Sequence, residues 1–100
     1  MMTLELREEA VADLDQAAAF YEKQEEGMGA YFEDRLLEDL EQLRLFRPLL
    51  ARKFPAVQRT ISARFPYAIY FSIEEERILI HAVLDCRRHP SWTRNKLKKR

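Results

Sequence analysis

The chain has 100 residues, 47% of them hydrophobic, with 17 basic and 17 acidic side chains and a formal net charge of +0. That length suffices for one hydrophobic core, and the single Cys86 excludes an internal disulfide and a cysteine-based zinc site. No window approaches the roughly 20 apolar residues of a membrane span, and the acidic N-terminus is unlike a secretory signal. We therefore predict one cytoplasmic domain over residues 1–100, without metal or cofactor.

The charges are divided unevenly along the chain. Residues 1–43 hold 13 acidic and 3 basic side chains, whereas residues 44–100 hold 4 acidic and 14 basic ones. No carboxylate follows Asp85, and seven cations do. We expect this basic end either to meet an anionic partner or to remain a solvated tail. A block of like charges is often disordered, so disorder is expected over about residues 93–100.

The first half is predicted to form a strand and two helices. Leu4 and Leu6 alternate with polar residues, which indicates a half-buried strand over residues 3–7. Apolar residues at helical spacing predict a helix from about Glu8 to Gln24. Its apolar stripe is Val11, Leu14, Ala17, Ala18 and Tyr21.

A second helix is predicted after Gly27 and Gly29, the only glycines, which interrupt the helical pattern. It begins near Ala30 and is stopped by Pro48. Its apolar face includes Phe32, Leu36, Leu40 and Leu43. A link of so few residues favours an antiparallel helical hairpin.

The second half changes to the period of β-strands. Strands are predicted over residues 57–63, 67–73 and 77–84, and the three glutamates at 74–76 make a polar turn between the last two. Three strands with short links form an antiparallel meander, and the last, apolar on both faces, is expected to be central. The fold class is α+β, with the helical hairpin on one face of the sheet.

The other face of this sheet is expected to be free. An apolar sheet face that the chain leaves uncovered is suited to hold a partner segment. We assign to it the alternate set of side chains, Ala68, Tyr70, Ser72, Leu79, His81 and Val83.

Two adjacent arginines, a histidine, a proline and the only tryptophan follow the last strand, in the stretch LDCRRHPSWTRN. Pro90 cannot continue a strand, and Arg and Trp are enriched at interface hot spots. The stretch therefore predicts a recognition surface made by Arg87, Arg88, His89 and Trp92. In the alternative interpretation, one arginine pairs with Asp85 or an acidic helix residue, and Trp92 packs back onto the core.

The chain resembles the RelE/ParE family of toxins from type II toxin–antitoxin modules. The resemblance covers nearly the whole chain and is most specific in RFPYAIYFSIEEERILIHAVLDCRRHPSW, residues 64–92, which is similar to the plasmid-stabilisation, ParE-like branch. It implies a toxin that is neutralised by a cognate antitoxin. ParE-type members poison DNA gyrase, and RelE-type members cleave mRNA in the ribosomal A site.

Two departures from the RelE-type pattern favour gyrase as the target. The position after the Tyr of the third-strand motif is Ala68 instead of an arginine, and no tyrosine follows Tyr70. We therefore expect a binding protein without covalent chemistry of its own. If the chain is instead a ribonuclease, its catalytic groups are Arg64, Arg88 and His89. A non-toxic binding module is the third possibility.

The antitoxin is expected to lay apolar side chains on the free sheet face and to bring carboxylates to nearby arginines. His81, inside an apolar strand, is most simply a half-buried, hydrogen-bonded imidazole. The residues assigned to antitoxin binding are Arg59, Arg64, Tyr70 and His81.

Overall fold

The computed structural model describes residues 2–46 and 57–100, so Pro48, expected to stop the second helix, lies outside the described residues. The predicted order of a strand, two helices and three strands is confirmed, and a further helix follows them. In chain order the elements are β1 Thr3–Leu6, α1 Glu8–Gln24, α2 Met28–Phe46, β2 Gln58–Ile61, β3 Tyr67–Glu74, β4 Arg77–Asp85 and α3 Pro90–Lys98.

The strands form one four-stranded sheet in the order β1-β4-β3-β2. The predicted antiparallel meander of β2, β3 and β4 is present, and β4 is central because β1 pairs with it in parallel. The parallel pairing runs only from Thr3 opposite Arg77 to Leu6 opposite Ile80. Beyond Ile80, β4 therefore has no strand on the β1 side.

The helical hairpin is held by a close turn. The N–H groups of Gly27 and Gly29 donate to the two carboxylate oxygens of Glu22 at 3.0 and 2.9 Å, so α1 supplies a cap for the start of α2. These hydrogen bonds, that of Gly27 first, lower the pKa of the Glu22 carboxyl group. A Cβ atom on Gly29 would lie 2.8 Å from the carbonyl oxygen of Ala18. Only glycine allows this close approach of the two helices.

The main core lies between the hairpin and one face of the sheet. α2 contributes the apolar face predicted from its spacing, and α1 contributes mostly small residues that bring the helix close to β4. Val11 was predicted to belong to this face but is 43% exposed, because it lies about 100° around the helix from the fully buried Ala10. The largest fully buried side chains are Phe32, Phe71, Leu36, Leu40, Ile69, Ile78, Ile80 and Val83.

A β-bulge at His81 changes which side chains face the hairpin. The register pairs Phe71 with Ile80 and Tyr70 with Ala82, so His81 is an extra residue in β4. The extra residue reverses the alternation that follows it. Val83, which we had assigned to the opposite face, consequently belongs to the hairpin-side core.

The opposite face is not free over its whole area, which corrects the expectation from the sequence. Trp92 and Leu97 of α3 pack on a second, smaller cluster of β3 and β4 side chains: Ala68, Tyr70, Ala82 and Leu84. What stays uncovered lies along the edge strand β2, where Val57 is 53% and Ile61 46% exposed.

The helix α3 also replaces the disordered tail expected near residues 93–100. Pro90 occupies its first turn, where the missing N–H is not needed, and the His89 side chain accepts a hydrogen bond from the Ser91 N–H. Trp92 and Leu97 give this segment apolar surface that it buries against the sheet. A block of cations alone has no such surface and therefore stays solvated. Among the described residues no helix is long and apolar enough to cross a lipid bilayer.

Candidate partner-binding surface

The end of β4 holds one of the two neighbouring arginines within the chain. Arg87 donates from its backbone N–H and Nε to Asp85 Oδ1 at 2.9 and 3.0 Å, and from Nη2 to Oδ2 at 2.8 Å. The Arg87 side-chain hydrogen bond is the main cause that lowers the pKa of the Asp85 carboxyl group. The Arg87 side chain is nevertheless 59% exposed, so it keeps an accessible edge.

Arg88 lies against the only tryptophan. Its guanidinium carbon is 4.6 Å from the centre of the Trp92 ring, and the Lys96 ammonium nitrogen is 5.5 Å from the same point. Trp92 is half-buried because it packs on the second cluster. The alternative interpretation of this stretch is therefore correct for two groups: Arg87 pairs with Asp85, and Trp92 packs back. Arg88 and His89 remain exposed.

His89 is the N-cap of α3. Its Nδ1 accepts from the Ser91 N–H at 3.1 Å and lies 2.8 Å from the Ser91 hydroxyl oxygen. With Nδ1 accepting from the backbone, the hydrogen of a neutral ring lies on Nε2. His89 therefore stabilises the N-terminus of α3 through Nδ1, and its Nε2 remains available to an external partner.

A cleft of about 220 Å³ opens beside these residues, where β4 lacks a strand neighbour. It lies between α1, the end of β4 and the start of α3. At its wall, burial is the main cause that raises the pKa of the Tyr67 hydroxyl, to about 12. The lining residues are Asp13, Gln16, Ala17, Phe20, Tyr67, Val83, Asp85, Arg88 and Trp92.

A buried ion pair at one side of this cleft holds the end of the chain in place, and sequence reasoning missed it. The two Arg100 amino groups donate to the two oxygens of Asp13, one of them at 2.7 Å, and Asp13 Oδ2 also accepts from the Val83 N–H at 3.0 Å. Asp13 thereby provides a hydrogen-bond acceptor for a backbone N–H of β4 that lies beyond the end of β1 and has no strand partner there. The signal available in the sequence was a carboxylate inside the apolar stripe of α1, between Ala10 and Leu14.

The residues assigned to antitoxin binding lie in three different settings. Arg59 is exposed on β2 directly opposite Tyr70, but Tyr70 is buried beneath α3. His81 lies at the bulge, with its Nε2 2.7 Å from the Ser72 hydroxyl, and burial is the main cause that lowers the pKa of its ring. Arg64 lines a separate groove beside the hairpin turn, together with Tyr31 and Phe65.

The three groups named for a ribonuclease do not line one groove. Arg88 lines the cleft at the end of β4, whereas Arg64 lines the groove beside the hairpin turn. His89 uses Nδ1 to cap α3. Within the described parts of the chain, no three side chains of the types His, Cys, Asp or Glu are grouped to hold a metal ion. This end of β4 exposes the side chains of Arg87, Arg88 and His89.

The four-stranded sheet with a helical hairpin on one face defines a class of small α+β proteins, and comparison with solved structures supports it. A chain of the "Chromosomal ParDE TA system from P. aeruginosa" matches with a TM-score of 0.67, covering 83% of this chain and 94% of that one, at 21% sequence identity. At that identity the likeness shows the fold. No curated protein matches the sequence.

The family follows from the sequence itself. The model of the family described as "ParE toxin of type II toxin-antitoxin system, parDE" matches residues 4–90. This match includes both helices of the hairpin, the strands β2, β3 and β4, and β1 apart from its first residue. The chain belongs to the ParE toxin family, which confirms the resemblance to its branch of the RelE/ParE toxins.

Proposed function

We propose that this chain binds and inhibits DNA gyrase, and that a cognate antitoxin neutralises it. The observation that carries the proposal is the family match over residues 4–90. Gyrase as the target rests on the ParE-like resemblance and on the two missing RelE-type groups. The separation of Arg64 from Arg88 into different grooves also favours binding over RNA cleavage.

Within the predicted recognition surface, Arg88 and His89 are the groups best placed to touch gyrase. Both are exposed, whereas Arg87 is partly neutralised by Asp85 and Trp92 is half-buried. Arg88 lies on the Trp92 ring, so its guanidinium is held in one place before the partner arrives. A cation that is already positioned loses less conformational entropy on binding.

A supercoiling assay with purified gyrase tests the target. The purified chain is expected to inhibit supercoiling and to trap the cleavage complex at micromolar concentration. Arg88→Ala should weaken inhibition at least about 30-fold, since truncating an interface hot spot costs ~2 kcal/mol or more. The matched control is Arg77→Ala, an exposed arginine at the first position of β4, at the opposite end of that strand from Arg88. Full supercoiling at saturating toxin would refute gyrase as the target.

The ribonuclease alternative is tested beside it with programmed ribosomes. If the chain inhibits gyrase and has no ribonuclease activity, we expect the mRNA on these ribosomes to remain intact. Cuts in the A site that vanish in His89→Ala would replace gyrase inhibition by RNA cleavage. Circular dichroism must accompany this variant, because His89 also caps α3.

The uncovered strip along β2 is the place we propose for the antitoxin. Val57 and Ile61 offer apolar surface beside the exposed Arg59, which an antitoxin carboxylate can pair. Co-expression with the adjacent reading frame should give a complex that resists separation short of denaturant. Arg59→Glu together with Ile61→Asp should weaken it, and Leu37→Asp, on the exposed side of α2, should not. Two proteins that elute separately would refute this partner.

A further inference from the structure

The outer side of α3 is a ridge of three cations and two neutral polar side chains that can donate hydrogen bonds. Half-buried and exposed side chains alternate with the helical period along α3. Trp92 and Leu97 face the sheet, and the exposed positions form one strip on the opposite side. That strip, the α3 ridge, consists of Ser91, Arg94, Asn95, Lys98 and Lys99. No Asp or Glu follows Asp85 in the sequence, so α3 has no acidic side chain of its own to neutralise the ridge.

The three cations of the ridge are not engaged elsewhere in the described part of the chain. Arg87 is paired with Asp85 and Arg100 with Asp13, whereas Arg94, Lys98 and Lys99 form no ion pair within residues 2–46 and 57–100. Arg94 and Lys98 are four residues apart and so lie one above the other on the helix. Two like charges at this spacing repel each other, which an anionic ligand would relieve.

The ridge is also fixed on the body of the protein. Trp92 and Leu97 pack on the second cluster, and the guanidinium of Arg100 is held by both oxygens of the buried Asp13. The ridge does not have to be ordered when a ligand arrives. This reduces the entropic cost of binding compared with a flexible basic tail.

The charges of the whole molecule orient the ridge toward a polyanion. The acidic side chains are concentrated on the hairpin, which covers one face of the sheet, and α3 lies over the other face. A molecule with a net charge of +0 but separated charges acts as a dipole. A polyanion is attracted to the α3 side and repelled from the hairpin side.

We infer that the α3 ridge binds the phosphate backbone of duplex DNA. Arg, Lys, Ser and Asn side chains are the groups that commonly donate to DNA phosphates, and they position a protein without reading sequence. The choice of DNA among polyanions rests on the proposed function, because gyrase holds duplex DNA when it is inhibited. The ridge would then contact DNA while Arg88 and His89 contact the enzyme.

Fluorescence anisotropy with a labelled DNA duplex of about 20 base pairs tests the inference on the full chain without gyrase. We expect sequence-independent binding with a Kd of roughly 10⁻⁶ to 10⁻⁴ M near physiological salt, weakening as salt rises. Arg94→Gln with Lys98→Gln should make the slope of log K against log salt shallower by about 1.8, since each phosphate contact contributes about 0.9.

The matched control is Lys23→Gln with Arg77→Gln, which removes the same charge outside α3 and should leave the slope unchanged. Both double variants need circular dichroism spectra like that of the parent chain. No DNA binding at low salt would overturn the inference, as would equal losses in both double variants. Tighter binding to an RNA duplex or to a polyglutamate peptide than to DNA would also overturn it.

The same variants separate this inference from the proposed function. DNA binding that depends on the ridge, with no inhibition of supercoiling, would refute gyrase as the target and support the ridge as a DNA contact. Inhibition of supercoiling by a chain whose DNA affinity is unchanged in Arg94→Gln/Lys98→Gln would refute the inference alone.

Discussion

The two faces of the sheet are covered in different ways. The hairpin buries a large apolar cluster against one face, including Phe32, Leu36 and Leu40 at 0% exposure. On the other face, α3 has no fully buried residue and is held by Trp92, Leu97 and the pair formed by Arg100 and Asp13. We therefore expect the first face to supply most of the stability of the fold. The second face carries the exposed cations of α3, so the proposed binding residues lie on the more weakly attached part of the molecule.

The substitution with the largest expected effect tests whether the hairpin side contributes most of the free energy of unfolding. Phe32→Ala should lower the free energy of unfolding by about 3–5 kcal/mol, because it removes a fully buried aromatic side chain and leaves a cavity. Leu97→Ala, in the half-buried contact of α3, should cost about 1 kcal/mol. Urea unfolding measures both. Equal losses would contradict the difference between the faces.

The ion pair at the end of α3 is expected to have the next largest effect. Arg100→Gln should lower the free energy of unfolding by about 1–3 kcal/mol, because the buried Asp13 carboxylate keeps only the Val83 N–H among its strong donors. The emission of Trp92 should shift to the red as α3 loosens. Lys99→Gln, which removes an exposed neighbouring cation, should change neither quantity; an equal shift there would show that general charge loss is responsible.

The hairpin turn offers a test of close packing on the stable side. Gly29→Ala should cost about 1–3 kcal/mol, since the new Cβ atom would lie 2.8 Å from the carbonyl oxygen of Ala18 and force the helices apart. Ala30→Ser, at the exposed next position, should stay within about 0.5 kcal/mol of the parent chain. Thermal unfolding followed by circular dichroism compares them.

The smallest effect concerns pH and the same turn. The pKa of Glu22 is lowered in the folded chain, so its stabilising contribution is present above the unfolded value of about 4.3 and is lost as pH falls through the folded pKa. Glu22→Gln should therefore be less stable than the parent at pH 7, and the difference should narrow as pH falls below the unfolded value. Glu26→Gln is the control and should behave like the parent across this range; a Glu22→Gln deficit that does not narrow with falling pH would contradict the capping role.

Much of the fold could be read from periodicity because each pattern reflects a local geometry. The helical spacing of Phe32, Leu36 and Leu40 placed one face of α2, and alternation placed the three strands of the meander. Val83 was assigned to the wrong face since a single extra residue at His81 reverses the alternation. A bulge leaves no local pattern of its own in such an apolar strand.

The sequence predicted a recognition surface in the stretch around Trp92, and that assignment stays a prediction. The sequence left open whether these side chains point outward or pack on the chain. The answer depended on partners distant in sequence: Trp92 packs on β3 and β4, and Arg100 reaches Asp13. Tyr70, expected on a free face, is buried for the same reason.

By itself, the sequence determined the α+β class, the hairpin, the meander, the family and the separation of charge between the two halves. These follow from local periodicity, composition and motif, which need no knowledge of distant contacts. Only the tertiary structure decided the conformation and packing of the basic end. Seven cations after Asp85, with no acidic side chain among them, favour a solvated tail. Trp92 and Leu97 instead pack on an apolar sheet face, and the buried Asp13 carboxylate binds Arg100, so this segment is a helix with one charged side.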